Sequence, residues 1–137
     1  MDAVFYAFLA GFPVMLLHLG ATLFLLAAGL FVYMKITPYD DLALIRSGNV
    51  AAAISLSGAS LGIGIPLAFS MANSISLLEV IIWGSVALVL QILGFRLTDL
   101  IMRDLPGRIV NGEMSAAILL VSVKLSIAVI NAAALSG

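Results

Sequence analysis

One lysine near the middle of an otherwise apolar run is the residue of this sequence best placed for chemistry inside a membrane. The run reads AAILLVSVKLSIAVINAA, residues 116–133, and Lys124 is its only charged residue. An ionised lysine at the centre of a membrane helix costs about 2.5–3.5 kcal/mol on insertion scales. Such a lysine is paired, lines a polar cavity, or bends its stem toward an interface. We expect Lys124 to be buried among polar groups.

Three uncharged polar residues are predicted to accompany Lys124 inside the membrane, two of them, Gln91 and Ser60, at a similar depth. Gln91 and Ser60 belong to two other apolar runs, and Asn131 shares a helical stripe with Lys124. Counting helical residues from the same membrane edge places Lys124 and Gln91 about 15 Å deep. The sequence therefore predicts an intramembrane polar belt of Lys124, Gln91, Ser60 and Asn131. It leaves open whether the belt holds helices together or lines a path.

The charged residues nearest to this belt are predicted to pair with each other. Arg96 and Asp99 are three positions apart in an apolar run, so a helix places them on one face near its end. We therefore expect an interfacial ion pair between Arg96 and Asp99. Asp99 could also reach toward Lys124, although the rise between these two residues is about 10 Å.

The sequence contains no recognisable set of residues for catalysis, cofactor binding or metal binding. The chain has no cysteine and a single histidine, His18. It has no phosphate-binding loop, no zinc-protease motif and no nucleophile–base set. The formal net charge of −1 gives no sign of a nucleic-acid partner. We predict a non-enzymatic protein without cofactor or metal.

Hydrophobicity places these residues in membrane helices. Hydrophobic residues make up 64% of the chain and charged residues 9%, whereas about 25% of a soluble domain is charged. A membrane helix needs about 20 mostly apolar residues. We predict an all-α integral membrane protein in the lipid bilayer, a single domain over residues 1–137. Its four helices are expected at about residues 14–34, 49–72, 77–101 and 114–136.

The first apolar stretch is too long for one upright span. It begins at Ala3, and a helix from there to residue 34 would be about 48 Å long. Pro13 offers a break point, because proline removes a helical hydrogen bond. Residues 3–12 are predicted to be an interfacial lead-in or a tilted extension.

The basic residues predict how the chain crosses the membrane. Four Lys and Arg residues lie in the connections 35–48 and 103–113, whereas the turn 73–76 and both termini have none. The positive-inside rule places the two long loops in the cytoplasm and both termini on the periplasmic or extracellular side. These loops are the predicted site for any cytoplasmic partner.

Small residues predict a close helix contact in the second span. Gly58 and Gly62 form a GxxxG pattern, and Gly64 extends the small face. Membrane helices approach closely where small residues face each other. The contact is expected either within one chain or between subunits. A homo-oligomer is predicted for either function: an accessory protein would associate through its small-residue faces, and a channel would need several protomers because four helices are too few to enclose a wide pore.

The chain contains an internal repeat. Residues 45–70 align with residues 109–134 at an offset of 64 without a gap, with nine identical positions. We predict two parallel two-helix repeats, residues 1–72 and 73–137. A parallel repeat implies a pseudo-twofold axis along the membrane normal.

Several spaced blocks carry a family resemblance, namely IRSGNVAAAI, IPLA, the WG pair with Gln91, IVNGEMSAAI and the final NAA. From about residue 10 to residue 134 the chain resembles the YjfL-like small bacterial inner-membrane proteins, domain-of-unknown-function family 350. The resemblance implies paired two-helix repeats in the bacterial inner membrane and a role in envelope maintenance, and it brings no catalytic residues. An oligomeric structural or accessory component is therefore predicted. The alternative is a small ion or solute channel or transporter.

Overall fold

Within residues 1–136, four long helices and two short helices make up the fold. The protein is seen in a computed structural model, which describes residues 1–136. Each long helix has the length and the hydropathy to cross a membrane, so the prediction of an all-α, multi-pass membrane protein is confirmed. In chain order the helices are α1 (Asp2–Ile36), α2 (Asp41–Arg46), α3 (Val50–Asn73), α4 (Leu77–Ile101), α5 (Leu105–Val110) and α6 (Met114–Ser136).

α1 continues through Pro13 without a break, so of the two alternatives predicted for residues 3–12 the structure agrees with an extension of the first span and not with a separate lead-in. Proline removes one backbone hydrogen bond, but its ring fixes φ near the helical value. Apolar membrane helices tolerate this loss. Residues 3–12 are therefore a helical extension of the first span.

The extension of α1 projects past the other helices. α1 and α4 run in the same direction, because Leu25 lies beside Gly84 and Leu88 lies beside Gly29. This register places the start of α4 level with about residue 18 of α1. Residues 2–17 thus extend about 24 Å further at 1.5 Å per residue. All of them are exposed in the protomer.

The four long helices pack against one another as a bundle. The most extensive contact joins α3 and α6, and α4 packs against α1, α3 and α6. The main partners of α1 are α3 and α4. Small residues permit the α3–α6 contact, since Ala52, Ala116 and Ala117 are fully buried there. The other buried cluster contains Tyr33 and Phe95, which shape the site described below.

The two short helices lie in the loops that had been predicted as simple connections. The Asp40 carboxylate caps α2 by accepting a hydrogen bond from the Ala43 N–H at 3.1 Å. Pro106 lies in the first turn of α5, where proline is favoured. Gly48 and Gly112 follow the two helices with φ of +92° and +82°, a conformation that favours glycine. These four residues were the available signals for short helices.

Equivalent features of the two halves occur at equal spacing. α2 and α5 each contain six residues and begin 64 positions apart, as do α3 and α6. Gly48 and Gly112 have the same separation and similar φ. These spacings support the predicted two-repeat organisation, while the repeat boundaries and the pseudo-twofold axis stay predictions.

Candidate functional site

Lys124 lies in a buried ionic cluster formed by α1, α4 and α6. Its side chain is 1% exposed. Its Nζ lies 3.3 Å from Asp99 Oδ1 and donates a hydrogen bond to the Tyr33 hydroxyl at 3.1 Å. The same Nζ lies 4.8 Å from the centroid of the Tyr33 ring and 5.1 Å from that of Phe95. One carboxylate, one hydroxyl and two ring faces therefore surround the ammonium group.

The ion pair between Lys124 and Asp99 replaces the predicted pair between Arg96 and Asp99. Within residues 1–136, the carboxylate of Asp99 makes its salt bridge to Lys124, and Arg96 makes none. The backbone rise of about 10 Å had argued against this contact. The extended lysine stem and the aspartate side chain together span it, because α6 presents Lys124 to the bundle interior.

Two amide side chains connect α4 and α6 beside this cluster. Gln91 Nε2 donates to the backbone carbonyl of Lys124 at 3.3 Å. Asn131 Nδ2 donates to Gln91 Oε1 and to the carbonyl of Ala87, each at 3.2 Å. The structure thus brings Lys124, Gln91 and Asn131 together. The amides bind backbone carbonyls of α4 and α6 and one another, and not the ammonium group.

Ser60 does not join the other three residues of the predicted belt. It lines a separate groove between α1 and α3 with Leu30, Met34 and Leu56. Counting residues along a helix fixes the depth of a side chain but not the side to which it points. Ser60 follows the buried Ala59 by one position, a turn of about 100°, so it faces away from the ionic cluster.

The predicted small-residue face divides between two surroundings. A Cβ at Gly58 would lie 2.5 Å from Val121 Cγ2, and a Cβ at Gly62 would lie 2.7 Å from Phe95 Cζ. Gly58 and Gly62 therefore make close contacts within the chain. Nothing lies within 4 Å of the corresponding position at Gly64, so Gly64 takes no part in these contacts.

An acid that is more deeply buried than Asp99 lies at the end of the bundle that carries α2 and α5, called here the loop end. Asp41 is 2% exposed, and neither carboxylate oxygen has a hydrogen-bond partner among the described residues. Burial raises the pKa of Asp41 to about 6, while the positive charge of Lys124 acts in the opposite direction. Nearby, the Tyr39 hydroxyl and Ser55 Oγ are 3.3 Å apart. The sequence analysis did not single out Asp41, because α2, the short helix that begins at this residue, was not predicted.

A pocket opens at the loop end beside Asp99. Its volume is about 340 Å³. We call it the arginine pocket; its polar lining is Tyr39, Arg96, Asp99 and Arg103, and its apolar lining includes Leu100 and Val110. Both loops that had been predicted as partner sites border it.

The family model of DUF350, described as a Domain of Unknown Function, matches residues 7–135 of the chain. The chain belongs to the DUF350 family. A similar protein is the UPF0719 inner membrane protein YjfL of Escherichia coli strain K12, which is 36% identical over 107 residues. The alignment covers 78% of this chain and 81% of YjfL. The protein of the same name from Escherichia coli O157:H7 gives the same values. No solved structure matches the chain.

The family assignment confirms the resemblance predicted from the spaced blocks, and the ionic cluster lies inside the matched range of the DUF350 model. In the part of the chain that the structure describes, no group of three His, Cys, Asp or Glu residues is arranged to hold a metal ion. The arrangement offers pairing of a buried ammonium group with a partly buried carboxylate, together with one titratable acid, Asp41, nearby.

Asp41 predicts how the stability of this DUF350 protein depends on pH. The pKa of about 6 in the folded protein exceeds the ordinary value of 3.8. The folded state therefore binds the proton more tightly, and the stability due to protonated Asp41 is complete below about pH 4 and lost as pH rises to about 6. The asparagine of Asp41→Asn is uncharged at every pH. We therefore expect the free energy of unfolding of this variant to exceed that of wild type by about 1–3 kcal/mol at pH 8 and not at pH 4.

Thermal unfolding in detergent between pH 4 and pH 8 measures this difference. The matched control is Asp40→Asn, because Asp40 is exposed and asparagine also caps helices well. We expect the control to change the pH profile much less than Asp41→Asn does, because the charge of Asp40 adds to the pKa of Asp41 less than burial does. An identical pH profile in wild type and Asp41→Asn would show that Asp41 is not the titrating group.

Proposed function

We propose that this DUF350 protein is a non-enzymatic inner-membrane component with a structural or accessory role in envelope maintenance, working as a homo-oligomer. The observation that carries the proposal is the enclosure of the Lys124 ammonium group. Its side chain is 1% exposed and paired with Asp99. A lysine that selects ions in a conducting path presents its charge to water, whereas Lys124 uses its charge to hold α1, α4 and α6 together.

The similar protein YjfL supports the location, since it is described as an inner membrane protein. The positive-inside rule supports the orientation of the chain in the membrane. It places the loop end, with α2 and α5, in the cytoplasm and both termini in the periplasm. The bordering loops 35–48 and 103–113 are then available to a partner on the cytoplasmic side.

The long first helix supports an oligomer. Residues 2–17 of α1 are exposed in the protomer and almost entirely apolar, with Asp2 as their only charged residue. A helix that is apolar on all sides has to be covered by lipid or by protein. By helical register this segment lies beyond the ends of the other helices, where a bilayer matched to the bundle does not cover it. Contacts between protomers would cover it.

Ion flux into liposomes that contain the purified full chain tests the proposal. We expect no flux above that of protein-free liposomes, for wild type and for Lys124→Met alike, and an oligomer by native mass spectrometry. The control Lys35→Met removes an exposed lysine. The accessory role would be overturned if wild type showed ion flux and Lys124→Met abolished this flux or changed its ion preference, while Lys35→Met left it unchanged.

The alternative function is that of a small ion or solute channel or transporter, and one observation favours it. Among the described residues Asp41 is a buried acid without a hydrogen-bond partner, and it lies close enough to Lys124 and Asp99 for their charges to act on its pKa. Asp99 in turn lines the arginine pocket. Three ionisable groups in sequence resemble the start of a proton or ion path. In this case Asp41→Asn would reduce the flux measured in liposomes.

A further inference from the structure

We propose that the arginine pocket binds the phosphate group of an anionic phospholipid from the adjacent leaflet, with Arg96 and Arg103 as the phosphate ligands. The pocket lies at the loop end, between the chain that follows α1, the last turns of α4, and α5. Its volume of about 340 Å³ is within the range of small-molecule sites, about 300–1,000 Å³.

The charges of the pocket favour an anion. Lys124 pairs with Asp99, so the one acidic side chain in the pocket is already neutralised by a buried cation. Among the described residues neither Arg96 nor Arg103 has a carboxylate within salt-bridge distance. Arg103 Nε donates to the carbonyl of Leu100 at 3.2 Å, and this bond leaves its terminal nitrogens available. Guanidinium groups bind phosphate through two parallel hydrogen bonds.

The depth and the apolar lining indicate a lipid rather than a soluble anion. Arg96 lies five residues before the end of α4, about 7.5 Å inside the helix end. An exposed arginine at this depth meets lipid headgroups. Leu100 and Val110 line the same pocket and are 46% and 42% exposed. Acyl chains can cover these side chains while the phosphate contacts the arginines. Basic pockets of this kind at helix ends are typical sites for lipid headgroups.

The test is a titration of the detergent-solubilised full chain with phosphatidylglycerol, with bound lipid counted by native mass spectrometry. The proteins are wild type, Arg96→Gln, Arg103→Gln and the control Arg46→Gln. Arg46 is also exposed at the loop end but lies outside the pocket. We expect each pocket variant to weaken phosphatidylglycerol binding about tenfold, as loss of a charged hydrogen-bond donor does. Arg46→Gln should bind like wild type.

Two further titrations separate the sources of the phosphate. Phosphatidylcholine should bind more weakly than phosphatidylglycerol to wild type, because its headgroup carries a cation that the arginines repel. Excess inorganic phosphate should not displace phosphatidylglycerol from the pocket. The proposal would be overturned if all three variants lost phosphatidylglycerol binding equally. It would also be overturned if inorganic phosphate displaced phosphatidylglycerol from wild type. The result does not depend on whether the protein conducts ions.

Discussion

Asp99→Asn is expected to destabilise the protein by about 3–5 kcal/mol, because it leaves the buried Lys124 ammonium without its counter-charge. The substituted asparagine would retain a carbonyl oxygen as an acceptor but no negative charge. The two ring faces and the Tyr33 hydroxyl would remain around the cation. These groups compensate for part of the burial of a cation, and the carboxylate supplies the rest.

Lys124→Met is expected to cost less, about 1–1.5 kcal/mol, because methionine has a similar shape and no charge. The remaining Asp99 is not trapped, since its side chain is 11% exposed and lines the arginine pocket with Arg96. It could pair there with a guanidinium group. Because removing the lysine costs less than removing its counter-charge, the double variant Lys124→Met with Asp99→Asn is expected to be more stable than Asp99→Asn alone. The coupling between the two positions is then negative and large.

Unfolding by SDS titration, followed by circular dichroism, measures these free energies. The control Lys35→Met removes a lysine that is exposed and packs over the Phe31 ring. We expect the control to change the free energy of unfolding by no more than about 0.5 kcal/mol. If Asp99→Asn were as stable as wild type, the ion pair would contribute nothing to holding the helices together.

Depth in the membrane could be predicted from this sequence, and direction around each helix could not. Hydropathy located four spans, and counting residues placed Gln91 and Lys124 at similar depth. The side to which a residue points depends on how helices rotate against one another, and almost uniformly apolar helices give little periodic signal for that rotation. For this reason Ser60 was grouped with Lys124 although it faces another groove.

The pairing of charges was missed for a different reason. The prediction compared the positions of backbones, whereas the contact between Lys124 and Asp99 depends on the reach of two side chains. The burial of Asp41 was not predicted, because the sequence of a polar loop does not indicate which of its charged side chains a short helix will bury. The signals that were present, the cap at Asp40 and the glycine at Gly48, locate α2 but not the surface against which it packs.

Gly58→Ala is expected to destabilise the protein by about 1–3 kcal/mol, because the added methyl would overlap Val121 of α6. Val121 is branched at Cβ and has few alternative rotamers, so the overlap is relieved only if α3 and α6 separate. These two helices form the most extensive contact in the bundle. Separating them would also affect the fully buried alanines along the same contact.

A second variant identifies the cause. Val121→Ala removes the overlapping methyl groups, so Gly58→Ala with Val121→Ala should be less destabilised than the sum of the two single variants. Gly64→Ala is the matched control, since nothing lies within 4 Å of its Cβ position. It should be neutral, or more stable by up to about 1 kcal/mol through higher helix propensity.

The same variants separate the two predicted uses of the glycine face. If Gly58 packs within the chain, Gly58→Ala lowers the free energy of unfolding and leaves the oligomer seen by native mass spectrometry unchanged. If it packs between subunits, the oligomer dissociates while the protomer remains folded. Gly64, whose surroundings within the protomer are open, is then the position at which a bulky substitution such as Gly64→Leu reports on a subunit contact. We expect Gly58→Ala to follow the first pattern, because the atoms that its methyl group would meet belong to Val121 of the same chain.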